Sequence, residues 1–284
     1  RFHWKGVIME ERLFHVFRNT PLGRETLLQS LYFCKTLDVS LQVYVPKSTQ
    51  FLIYFDHDAV QVDLDGSYLT SPDNAVAHVT ELAQQGGLTP SFLIPKNFTA
   101  SQLPDIPSNF DYMCCPRSIT DLASKIGLGY IGPKVRRIVK SSTFPVLMTG
   151  SVFKAWKSLA VFYGGSQNAN KALSWGLRLA RVSGYPVDMV TYTEGRSNDY
   201  FDQQLQEAGL HDQVKQNVRH WHKITEGRFE DHLYQVPHDA LLVVGAFGHG
   251  LIKDFLFGSK METIQSWMPN NMLLVGPNCV FRGA

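Results

Sequence analysis

Short apolar runs alternate with longer amphipathic stretches along most of the chain. One run spans 13–17, and Leu27, Leu28, Leu31 and Tyr32 follow it at helical spacing. A second apolar run covers 39–45. The same order returns at 159–163, with Leu173, Leu177 and Ala180 on the helical face and another apolar run at 187–191. The ends of the two copies match as well. The runs 111–115 and 239–244 each lead to a glycine-bearing loop, with Gly132 against Gly258, and then to a helix and a closing strand at 145–148 and 271–275. The spacing between the copies is constant at first and shrinks by about twenty residues toward their ends, so the first copy is longer in its middle.

Apolar strands that alternate with helices predict parallel sheets covered by helices on both faces. The chain therefore reads as α/β, with two tandem doubly wound domains at 1–153 and 154–284. A length of 284 residues suits two such units. The middle of the first copy departs from the plan. Residues 51–55 and 59–64 read as two short strands joined by an Asp56-His57-Asp58 turn, a β-hairpin insertion. A helix from Asp73 to Gln85 closes on Gly86-Gly87, and 91–94 supplies the third strand of the sheet.

Composition narrows the function. A formal charge of +2 gives no basic face for nucleic acid. Lys134, Arg136, Arg137 and Lys140 read as the solvated face of a helix. No run of about 18 apolar residues is present, so no membrane span is expected. The start, Arg1-Phe2-His3-Trp4-Lys5, lacks a signal peptide's apolar centre. Cys34, Cys114, Cys115 and Cys279 fit no zinc spacing and read as reduced, buried thiols of a cytoplasmic protein. In a strand, Cys114 and Cys115 point to opposite faces. His220-Trp221-His222, read as helical, would diverge and hold no metal. Ser166 is expected to cap the helix behind it rather than act as a nucleophile.

The most informative stretch is Val243-Val244-Gly245-Ala246-Phe247-Gly248-His249-Gly250, which runs on to Gly258-Ser259. It follows an apolar strand and leads into a helix expected to begin near Ser259. Glycines let the backbone approach a ligand, and a helix N-terminus at the carboxyl end of a parallel strand suits phosphate. The spacing G-x2-G-x9-G-S resembles the nucleotide-binding motif of the universal stress protein family. Val161-Phe162-Tyr163-Gly164-Gly165-Ser166 and its helix are similar to that family's first βα unit, and Asn271 to Pro277 to its last strand.

The resemblance implies an adenine nucleotide α-hydrolase-like fold in each half and a stress-response or regulatory protein binding ATP or AMP in its second domain. Catalysis would be at most slow ATP hydrolysis, with Asp254 the nearest acid. Gly245, Gly248, Gly258 and Ser259 would hold ribose and phosphates. Met189 would line the adenine pocket, and Gly164 stands where family members usually carry an Asp. Losing that charge-assisted hydrogen bond costs about 1.5–3 kcal/mol, about tenfold to a hundredfold in affinity. In the first copy Arg117 and Thr120 replace the glycines, Arg18-Asn19 replaces the first turn, and Pro133 follows Gly132 without an N–H to offer. That half is expected to bind no nucleotide in the family's manner, although Arg117 leaves room for another anion. The resemblance also implies that 145–148 and 271–275 pair within the chain as a pseudo-dimer, with a homodimer as a further option. Two other readings remain: a nucleotide-independent interaction or regulatory module, and an adenylating enzyme.

Overall fold

The computed structural model describes residues 10–64, 71–117, 131–247 and 270–281. The first half runs β1 (Arg12–Val16), α1 (Pro21–Leu37), β2 (Ser40–Tyr44), β3 (Gln50–Phe55), β4 (Asp58–Asp63) and α2 (Pro72–Gln85). It continues through β5 (Ser91–Phe92), β6 (Asn97–Phe98), β7 (Pro104–Pro107), β8 (Tyr112–Pro116), α3 (Pro133–Ser141) and β9 (Val146–Thr149). The second half holds β10 (Ser158–Phe162), α4 (Gln167–Ser183), β11 (Val187–Tyr192), α5 (Asn198–Glu207), α6 (His211–Asn217), β12 (Val218–Ile224), β13 (Ala240–Gly245) and β14 (Met272–Val275).

Ten strands form one sheet in the order β12-β11-β10-β13-β14-β9-β8-β1-β2-β5. Every neighbouring pair is parallel except β14 and β9, which run antiparallel with Leu273 opposite Leu147. The two closing runs therefore meet inside the chain, and neither is left with an open edge. This reversal also places the carboxyl ends of the two sets of parallel strands on opposite edges of the sheet. Within each half the first strand, β10 or β1, lies inside, and the chain winds outward to both sides of it.

One face of the sheet packs on α1, α2, α4 and α5 through residues such as Leu27, Val79, Leu173 and Phe201. The other face packs on α3 and on the second, four-strand sheet β4-β3-β7-β6. The expected hairpin is part of that second sheet, with Asp56-His57 at its turn and Asp58 already inside β4. Phe51, Ile53, Val60 and Val62 turn inward and cover the parallel sheet. Cys114 and Cys115 do enter opposite cores. The third strand at 91–94 is shorter than expected, with only Ser91–Phe92 paired to β2.

The basic face of α3 is not simply solvated. Lys134 pairs with Asp63 at 3.2 Å, and Arg137 and the Ser141 hydroxyl both donate to Asp58. These contacts dock the hairpin on α3 and hold the Asp58 carboxyl well below the usual range. Sequence alone offered the cations without their partners, because the partners lie in the insertion.

The two halves also meet through helices and the connector. Tyr32 on α1 and Tyr185 each pack edge-on to Trp156, and Arg178 on α4 pairs with Glu11 while lying over Trp175. The Phe153 amide donates to Glu25 at 2.6 Å. After β14 the chain runs across α3: a Cβ at Gly276 would meet the Val139 carbonyl oxygen at 1.9 Å. Gly276→Ala is expected to cost about 3 kcal/mol of stability, read as a lowered urea midpoint.

His15 is buried beneath α1, with Nδ1 on the Ser30 hydroxyl at 2.9 Å. Desolvation lowers its pKa to about 3. The unfolded chain takes up a proton near pH 6.5, whereas the folded chain resists it down to about pH 3. Stability is then lost as pH falls through that window, by up to about 1.4 kcal/mol per pH unit from this group. Unfolding measured against pH should show this slope, and His15→Gln should reduce it.

Candidate functional site

In the second half the chain leaves β10 and β13 on opposite sides of the sheet's winding, which is where doubly wound sheets open a crevice. Three loops border it. The first is Gly164-Gly165-Ser166 between β10 and α4. Gly165 has φ +75°, and a Cβ there would meet the Tyr200 ring at 2.9 Å, so glycine is required. The Ser166 hydroxyl accepts from the Ala169 amide at 3.1 Å and caps α4, as its position in the sequence suggests. The first turn of α4 carries no acidic residue, so the helix supplies no acid of its own against the positive end of its dipole.

The second loop follows β13. Here Gly245 does structural work, since a Cβ would meet the Asn168 carbonyl oxygen at 2.6 Å and the Ala169 nitrogen at 3.0 Å. The bare backbone lets the start of α4 lie directly on the strand end. Asn168 secures that contact by donating to the Ala246 carbonyl at 2.7 Å. Phe247 then takes φ +62°, a left-handed conformation that costs a bulky residue energy.

The third loop, after β11, was not anticipated. Glu194 and Gly195 both have positive φ, and the Arg196 amide closes the turn on the Thr193 carbonyl at 2.9 Å. The turn lifts Arg196 over the Tyr200 ring, 5.0 Å from its centroid, and its Nη1 donates to the Gly164 carbonyl at 3.4 Å. Its ion pair with Glu194 is loose, at 3.8 Å. The Glu-Gly dipeptide after an apolar run was the available turn signal. A cation therefore borders Gly164, the position where an acid was sought.

The structure separates the sequence candidates. Gly164 and Gly245 come together on either side of the α4 N-terminus. Met189 does not reach the edge. It lies three residues before the end of β11, fully buried in the core beneath α4, and the residues at that end are Tyr192 and Thr193. The expectation stopped short because β11 runs on to Tyr192. Gly248, Gly258 and Ser259, with His249 and Asp254, lie outside the described residues. In the first half Arg117 directly follows β8, and burial lowers its pKa to about 10.

His220 and His222 lie not on a helix but on β12 at the sheet's edge. The signal was weak because β12 alternates polar residues with only Val218, Trp221 and Ile224 as apolar members. Among the described residues, no group of three or more His, Cys, Asp or Glu is placed to hold a metal. No described helix is long and apolar enough to cross a membrane.

No family model matches the chain. A curated relative, the universal stress protein Slr1230 of Synechocystis sp., is 25% identical over 191 residues, covering 64% of this chain. The match spans 63% of that protein's length. A universal stress protein from Archaeoglobus fulgidus superposes with TM-score 0.61 at 14% identity, covering 94% of this chain and 99% of that one. A functionally unknown protein from Pseudomonas aeruginosa PAO1 gives TM-score 0.54 at 10% identity, covering 95% and 94%. These structures share the fold across nearly the whole chain.

Gly245→Ala is expected to destabilise the protein by about 1–3 kcal/mol with no ligand present, because α4 must move away from the strand end. Thermal or urea unfolding checks this, and an unchanged midpoint would count against the contact.

Proposed function

We propose that this chain, whose sequence and structural matches support the universal stress protein family, is a regulatory protein that binds an adenine nucleotide, ATP or AMP, at the crevice between β10 and β13. The observation that carries the reading is the charge of that crevice. The capped, acid-free N-terminus of α4 and the Arg196 guanidinium border it from two sides. Both favour a phosphate-bearing ligand. The glycine spacing from Gly245 through Gly248 to Gly258-Ser259 supports the same assignment. Phosphates would sit toward β13, and the nucleoside would extend across β10 toward Tyr192 and Thr193.

In this reading the first half, 1–153, is a degenerate partner for the second, 154–284. Arg18 and Arg117 stand at the ends of β1 and β8, where the second half has Gly164 and Ala246 at the ends of β10 and β13. The antiparallel β9–β14 seam supports treating the two as a pseudo-dimer within one chain. A second reading, a regulator that works without nucleotide, draws on the bond between Arg196 and the Gly164 carbonyl, which lays a side chain across the crevice.

Calorimetric titration of the full chain with ATP and with AMP tests the choice. One equivalent of nucleotide should bind, because only one half is competent. Arg196→Gln should weaken binding about tenfold, the loss of one charge-assisted contact. No binding of either nucleotide at millimolar concentration would leave the nucleotide-independent regulator.

A further inference from the structure

The edge strand β12 carries a feature that no role described so far uses. Between its pairings with β11 the register slips: Val218 lies opposite Val187, but Trp221 lies opposite Met189. Three steps on β12 thus face two on β11, a β-bulge at Arg219 and His220 opposite Asp188. A bulge turns two successive residues toward one side, and alternation then brings His222 to that same side while Trp221 enters the opposite core. His220 and His222 consequently stand next to each other, with ring centroids 6.0 Å apart and planes at 54°.

Both rings are available. His220 is exposed and His222 half-buried, and neither ring nitrogen has a hydrogen-bond partner among the described residues. The nearest cation on the strand, Arg219, is held by Asp188 through two bonds of 2.9 and 2.6 Å, so its charge is already matched. Lys223 points to the other face, where its ammonium lies 3.9 Å from the Trp221 ring centroid. The metal–nitrogen bond of an imidazole ligand is about 2.1 Å, which puts each ring centroid about 3.2 Å from the ion. Two rings sharing one tetrahedral ion then lie about 5.2 Å apart. The observed separation exceeds that by less than about 1 Å, which rotation of the exposed His220 ring toward His222 would close.

We propose that His220 and His222 form a two-imidazole chelate for a divalent transition ion of the zinc type, with water completing the coordination shell. Imidazole suits such borderline ions, and Zn²⁺ imposes no geometry of its own that two strand-borne rings could not meet. With only two protein ligands the ion exchanges readily. The proposal does not depend on the nucleotide reading.

The test is a Zn²⁺ titration of the full chain, followed by the imidazole ¹⁵N and ¹H resonances of His220 and His222, which separates this pair from the other histidines. Both rings should respond together with one midpoint and one equivalent of zinc. His220→Gln should weaken the response at His222 by about tenfold or more, and His222→Gln should do the same to His220, because each variant loses the second tooth of the chelate. Far-ultraviolet circular dichroism of both variants should match the parent, since neither side chain is in a core. Independent midpoints for the two rings would overturn the proposal. So would a single variant that leaves the other ring's midpoint unchanged, or no response at millimolar zinc.

Discussion

The antiparallel contact of β9 with β14 is the constraint on which the rest of the molecule depends. Each is the closing strand of its half, four residues long and buried along its whole length. Each would otherwise present a row of unpaired amides and carbonyls. Their pairing makes one continuous sheet, and the surrounding contacts are arranged around it. Asn271 bonds the Gly150 amide and the Lys154 carbonyl on the connector, while Asn270 reaches the Ala240 carbonyl at 2.8 Å. The glycine after β14 lets the tail cross α3 at backbone distance, and the Val280 amide then bonds the Thr143 carbonyl. Loosening this seam would expose two edges and separate helices α1 and α4 together.

Much of this fold was legible because buried parallel strands are apolar at every position, which makes β10, β13 and β14 stand out from any surface element. Helix boundaries were legible where a cap marked them, as Ser166 does, or where glycine ended them, as Gly86-Gly87 does. β12 was not legible. An edge strand is buried on part of its surface only, and its bulge breaks the alternation that would have identified it. The docking of the hairpin was hidden for another reason: Asp58 and Asp63 are ordinary turn and strand residues until α3, far along the chain, arrives beside them.

The site was legible in its backbone and not in its side chains. Glycine spacing pointed to the end of β13, and the structure places Gly245 there, although its immediate role is to admit the start of α4. Met189 lies three residues before the end of β11, since periodicity locates a strand better than its last residue. Arg196 could not be found from spacing at all, because it reaches Gly164 only through a turn with two consecutive left-handed residues. What the structure adds is a sign of charge. The turn that borders β10 from outside sets the Arg196 guanidinium, loosely paired with Glu194, beside Gly164, where an acid had been the natural expectation.

Because one polypeptide supplies both closing strands, their meeting depends on tether length and not on how much protein a cell holds. A sheet completed across two chains comes apart on dilution by mass action; this one does not. The tether also changes what drift the sequence tolerates. In a symmetric assembly every substitution is imposed twice, so a loop cannot be surrendered in one copy and kept in the other. Here the half that begins with β1 carries arginines after β1 and β8 where the half that ends with β14 has Gly164 and Ala246, and the shared seam keeps the two joined in a fixed one-to-one ratio.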